Sequence, residues 1–188
     1  MKKIATILLA AMLTLCLVGC GNGNKGTASV EITDAAEILT TVWATYGEEE
    51  MFPVGGGDSE HLSMEGPAAF DVAKAEEMDA LLCFPADKAS MIDNAASMMH
   101  MMNANTFTGG AYHVADAANI ATVSDAIKER VMNNHWMCGF PETLIIVQVG
   151  DDYLVSAYGN GQLIETFKAK LQAAYEGATE VLVEESLM

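Results

Sequence analysis

Thr143-Leu144-Ile145-Ile146-Val147-Gln148-Val149, then Gly150-Asp151-Asp152, then Tyr153-Leu154-Val155-Ser156-Ala157-Tyr158 is the stretch whose reading decides the fold. An apolar run rich in β-branched residues, a Gly-Asp-Asp turn and a second apolar run predict a β-hairpin. Gly159-Asn160-Gly161 then breaks the strand. Leu163, Ile164, Phe167, Leu171 and Tyr175 follow at helical spacing, so a closing helix is expected to pack back on the hairpin. Residues 180–188 read as one more short strand or a loose tail.

Upstream, Ile32, Ala35, Leu39, Val42, Trp43 and Tyr46 recur at helical spacing, with Asp34 and Glu37 as a capping pair and Gly47 as the stop. Residues 47–67, with Glu48-Glu49-Glu50, Pro53, Gly55-Gly56-Gly57 and Pro67, read as a long irregular loop, the kind of segment that is often functional. Residues 70–77 fit a short strand or a short helix. Ala80-Leu81-Leu82-Cys83-Phe84, stopped by Pro85, reads as a buried strand. From Asp87 to about Asn103 a helix is expected, with Met91, Ile92, Ala95, Met98, Met99 and Met102 on one face. Residues 104–112 look turn-like around Gly109-Gly110, and 116–133 read as a helix with a break near Ser124. The order helix, strand, helix, helix, hairpin, helix predicts an α+β (or mixed α/β) domain. Its sheet is small and largely antiparallel, ends in the C-terminal hairpin, and is covered by about four helices.

The N-terminus has a different character. Lys2 and Lys3 precede an apolar run from Ile4 to Val18 broken only by Thr6 and Thr14, the layout of a secretory signal peptide. The run is shorter than the roughly 20 apolar residues a membrane span needs. It ends in Leu17-Val18-Gly19-Cys20, which resembles the lipobox of bacterial lipoproteins. The resemblance implies cleavage before Cys20, acyl chains on Cys20, and display on the extracytoplasmic face of a cell membrane. The expected organisation is a signal peptide at 1–19, a lipid-anchored Gly-rich tether at 20–30 and a single domain at 31–188.

Removing residues 1–19 takes away two lysines and leaves 7 basic residues against 26 acidic ones, a formal charge of about −19. Nucleic acid and anionic headgroups are repelled by such a chain and are excluded as partners. A protein or peptide partner is compatible with it, and the oligomeric state is not encoded in any pattern here.

Few residues carry a chemical signature. Cys83 and Cys138 are the only pair left once Cys16 and Cys20 are set aside, and outside the cytoplasm they are candidates for a disulfide or for two packed thiols. Met98-Met99-His100-Met101-Met102 offers thioether and imidazole donors of the kind that suit Cu(I), although a methionine stripe at helical spacing is also ordinary core filler. His61, His113 and His135 lack zinc spacing, so no metal ligand set and no cofactor is assigned. The triglycine is not followed by Lys-Ser/Thr and is no phosphate cradle. Glu48, Glu49 and Glu50 with Asp58 and Glu60 do not match a calcium loop. No nucleophile elbow or triad pattern appears, so the reading is non-enzymatic. Trp136, Phe140 and Pro141, just before the best strand, are a candidate binding surface together with the 47–67 loop.

Two family resemblances bear on these residues. The stretch from Phe140 to Tyr175, with Pro141 leading into strand, hairpin and helix, is similar to the C-terminal half of thioredoxin-like domains. That likeness implies a thiol/disulfide role for Cys138 with Cys83, although the second cysteine of Cys-x-x-Cys is missing at Cys83-Phe84-Pro85-Ala86. The layout of lipobox, tether, first helix, hairpin and closing helix also resembles small uncharacterised lipoproteins of Gram-positive gut bacteria. Some of those carry the label of a domain of unknown function or of bacteriocin transport accessory proteins, which implies an accessory or binding role.

Overall fold

The computed structural model describes residues 31–137 and 139–188. The hairpin forms where the sequence places it: β5 (Thr143–Val149) and β6 (Tyr153–Gly159) pair antiparallel, Val149 opposite Tyr153, around a Gly150 with φ of +63°. It lies inside a larger sheet than expected. β1 (Val54–Gly55), β2 (Ala68–Phe70), β3 (Ile92–His100), β4 (Phe107–Val114) and β7 (Thr179–Ser186) complete seven strands. Their order is β1-β3-β4-β6-β5-β7, with β2 also on β3, and every pairing is antiparallel.

Helices cover both faces. α1 (Ala35–Trp43) and α4 (Gly161–Ala174) bury Ile38, Leu39, Val42, Ile164, Phe167 and Leu171 against Met98, Phe107, Ile145, Val147 and Val155. α2 (Ala75–Leu82) and α3 (Ile120–Met132) bury Met78, Leu82, Val123, Ile127 and Val131 against Tyr112, Leu144, Ile146 and Leu154. Each fully buried aliphatic or aromatic side chain contributes about 1.5–3 kcal/mol, so two such cores hold the sheet as the middle of an α/β/α sandwich. α1 starts as expected, with Asp34 Oδ1 accepting the Glu37 N–H at 2.8 Å. The Glu37 carboxylate turns to Thr33 instead of closing a reciprocal box.

Three segments correct the sequence reading. The expected 87–103 helix is a 3-10 turn (Ala86–Met91) followed by strand β3. Ala95, Ala96, Ser97 and Met98 are all buried, because β3 has helices on both sides of it. A strand covered on both faces loses its polar/apolar alternation, and the remaining Ala/Met pattern imitates a helix. The expected strand at 80–84 is the last turn of α2 with its cap, since Cys83 adopts φ +53° and its N–H returns to Asp79 O. A short apolar run does not by itself discriminate strand from helix. The turn-like 104–112 segment is mostly β4. Gly109 and Gly110 sit there because the Phe107 ring and the Tyr112 hydroxyl lie over them. The helix over 116–133 is present as a 3-10 turn and α3, without a break at Ser124, and the tail forms β7.

The antiparallel register gives the sheet two ends. Asn94, Val114, Tyr153, Val149 and Thr179 lie at one, and His100, Phe107, Gly159, Thr143 and Ser186 at the other. The chain enters at the first end: the Ala35 N–H donates to Asn94 Oδ1 at 2.7 Å, and Ile32 packs over Gly150. That end is the entry end below, and the other the far end.

A candidate docking site at the far end of the sheet

The 47–67 loop is built onto β3. Gly55 pairs with Met99, and Gly56 bridges to Ser63. A Cβ on Gly56 would collide with the Ser97 carbonyl and come within 2.6 Å of the Ala68 nitrogen, so only glycine admits this approach. The buried Ser97 hydroxyl accepts the Gly57 N–H at 2.8 Å. The triglycine is therefore a packing device.

Asp58 is the anchor of the loop. Its side chain is fully buried and accepts the N–H groups of Glu60 at 2.9 Å and Asp71 at 3.0 Å, the Lys74 ammonium at 2.6 Å, and a contact from His61 Nδ1. Burial alone would raise its pKa, but Lys74, these backbone donors and His61 outweigh burial and hold the carboxyl well below the ordinary range.

Between this loop, α2 and the end of β3 lies an apolar groove of about 350 Å³, lined by Leu62, Met64, Leu81, Met99, Met101 and Met102 together with Gly55, His100, Asn103 and Ala104. The long loop and the methionine tract, two separate features of the sequence, thus form one site. Met98 points away into the core with no exposure, while Met102 is 79% exposed. His100 is committed: its ring stacks on Phe52 at 5.3 Å, and Nδ1 accepts the N–H of Met102 at 3.2 Å.

The groove belongs to a larger asymmetry. Ten large hydrophobic side chains are exposed among the described residues, seven of them methionines, and they gather toward the far end. Leu62, Met64, Leu81, Met101 and Met102 line the groove. Met51 lies two residues before Pro53, whose carbonyl accepts the Met101 N–H. Met137 and Phe140 border the same end, where the Asn105 side chain ties down the carbonyls of Met137 and Gly139 at 2.8 and 2.9 Å. Met132 closes α3 just before that segment, and Met188 follows β7. Single exposed apolar residues are normal, but a collection at one end makes that end the candidate interaction surface.

The other sequence candidates are distributed as follows. Phe140 is 72% exposed, Pro141 is buried, and Trp136 is half-buried with its ring 5.2 Å from Tyr158. Cys83 is buried, its thiol pushed up by burial and 3.6 Å from the Tyr158 hydroxyl. Cys138, Cys20 and the whole signal and tether region lie outside the described residues, and with them the disulfide, redox and lipidation expectations. His61 is exposed at Asp58, His135 is exposed, and His113 lies at the entry end between Asp93 and Asp152. Glu50 is paired with Lys170. Among the described residues, no group of three or more His, Cys, Asp or Glu is arranged to hold a metal ion, and no helix is long and apolar enough to cross a membrane. Leu62, Met64 and Met137 lie in segments that the sequence offers as contact surfaces, whereas Leu81, expected in a buried strand, is 39% exposed. Leu62 and Met64 stand out in the sequence as large apolar residues inside a polar, irregular stretch, but Leu81 does not, since it belongs to the apolar run 80–84.

Comparison with known proteins adds no relative: no family model, no curated protein and no solved structure matches the chain. The class is defined by fold and site alone, an α/β/α sandwich around an antiparallel sheet with one apolar end.

Proposed function

We propose that this protein is an extracytoplasmic lipoprotein, held to the membrane through Cys20, that serves as a non-enzymatic docking module through the methionine-rich far end of its sheet. The observation that carries the reading is the opposition of the two ends. The chain enters the fold beside Asn94, whereas the groove opens at Met99–Met102, roughly 20 Å further along β3 at about 3.3 Å per residue. A lipid at Cys20 and a tether of roughly 15–18 Å would hold the entry end toward the bilayer and turn the groove outward.

Two measurements on producing cells test it. A clickable palmitate should label the wild-type chain and not Cys20→Ser. A photo-crosslinking residue in place of Met102 should give discrete protein adducts that the same residue in place of Asp151 does not. An unlabelled wild type overturns the anchor, and equal crosslinking at both ends overturns the docking role.

A second reading of the groove is soft-metal binding, favoured by the thioethers of Met64, Met99, Met101 and Met102 lining one space. Titration with Cu(I) under reducing conditions tests it: a saturable stoichiometric site supports the reading, and non-saturating uptake ends it.

A further inference from the structure

We infer that the groove takes a cationic amphipathic polypeptide segment, an inference that rests on the reading of the far end as a docking surface. The lining sets the apolar half of this specificity. Met64, Met99, Met101 and Met102 present unbranched, polarizable side chains beside Leu62 and Leu81. Such a surface adapts to varied apolar side chains and imposes little shape of its own. At about 350 Å³ the groove lies within the range of sites that bury apolar ligands.

Charge sets the other half. Residues 31–188 hold six cations, Lys74, Lys88, Lys128, Arg130, Lys168 and Lys170, against 26 acids. All six sit in ion pairs with carboxylates of the same chain. The surplus is therefore carboxylate throughout, and the loop that carries Leu62 and Met64 exposes Glu65 together with Glu60, which lies 3.4 Å from the Lys74 ammonium that it shares with Asp58. An anionic partner meets repulsion with no free lysine or arginine among the described residues to offset it. A second copy of this chain would bring two strongly negative surfaces together. A segment with an apolar face and Lys or Arg on its flank satisfies both halves, since its apolar side chains enter the groove while its cations meet the acidic surround.

Methionine-methyl NMR on the full chain in zwitterionic nanodiscs reads the site directly, with empty nanodiscs as the control for peptide partitioning. The probe is a helical peptide of about five turns built from Leu and Lys, compared with the same peptide carrying Gln for Lys. The Met64, Met101 and Met102 signals should shift saturably with the Lys peptide while those of buried Met78 and Met98 stay in place. The Gln peptide should bind at least about tenfold more weakly, and the triple variant Leu62→Ser/Met101→Ser/Met102→Ser should not bind. Unchanged Met78 and Met98 signals in that variant show that it is folded. Equal binding of the two peptides overturns the charge requirement and with it the inference. No shift with either peptide also overturns it. If the Met102 crosslinks in cells persist in those cases, the docking reading stands without this partner; if they are lost too, both fall.

Discussion

The two ends of the sheet carry the same strands but opposite surfaces. At the entry end the exposed side chains are polar and acidic. Asp93 and Asp152 flank His113, and Asp34 and Asp116 cap helical turns. At the far end the exposed side chains include methionine, leucine and phenylalanine, and the loop that carries two of them is anchored by the buried carboxylate of Asp58. Both ends contain a histidine, and the use of the two differs. His113 is held between carboxylates near solvent, whereas His100 is stacked on Phe52 and gives its Nδ1 to backbone N–H groups. The contrast teaches that, among the described residues, exposed large apolar side chains gather toward one end. Solubility alone would be served by acids everywhere, so the methionine end calls for a separate, functional explanation.

The sharpest way to break the contrast is to remove the support of the far end. Asp58→Ala would leave Lys74, 18% exposed at its side chain, with only the exposed Glu60 carboxylate at 3.4 Å, and orphan the N–H groups of Glu60 and Asp71. Breaking such a pair costs about 3 kcal/mol, at the low end for a partner that keeps some water contact. Chemical denaturation should show that loss, and hydrogen exchange should localise it to 55–71 and the groove. The pH dependence has a definite sign. Because the folded pKa is depressed, the Asp58 contribution is complete above the ordinary carboxylate value of about 3.9 and is lost as pH falls through the folded value. Wild type and Asp58→Ala should therefore differ most near neutrality and converge in strong acid.

That dependence on Asp58 also shows what sequence could and could not carry. The hairpin, α1, α3, α4 and the antiparallel α+β class follow from periodicity and turn residues, which are local. β3 and β4 do not: Ala95–Met98 and Gly109–Gly110 have helix-like or turn-like composition, and only cover from both faces makes them strands. The site is legible in pieces. The loop and the methionine tract stand out singly, but their meeting depends on Gly56 lying against Ser97, a contact across about forty residues. Asp58 looks like one acid among many until Lys74 and Asp71 converge on it.

A smaller effect is expected at the entry end. Burial works against protonation of His113, but hydrogen bonds and charge from Asp93 and Asp152 outweigh it and raise the pKa. NMR titration should place His113 above the ordinary histidine value of about 6.5, and Asp93→Asn/Asp152→Asn should bring it back down. A raised folded pKa means that the stabilisation is complete below the unfolded value and fades as pH rises through the folded one. The double variant should thus lose up to about 1 kcal/mol at mildly acidic pH and match wild type at alkaline pH. A His113 midpoint insensitive to both aspartates would remove the entry-end half of the comparison.

The smallest effect on stability is expected where the proposed function concentrates. Met101 and Met102 are 43% and 79% exposed, so Met101→Ser/Met102→Ser removes little buried surface and leaves no orphaned polar group. Denaturation midpoints should move by no more than about 0.5 kcal/mol equivalent. Met98, three residues before Met101 and fully buried, is the contrasting case, since its side chain fills the core between α1 and the sheet. If the exposed pair served folding, its loss would resemble that of a core methionine. If it serves docking, stability stays and far-end crosslinking disappears. A double variant that is as stable as wild type and still crosslinks from a neighbouring far-end position would separate the methionines from the docking role and leave the apolar end unexplained.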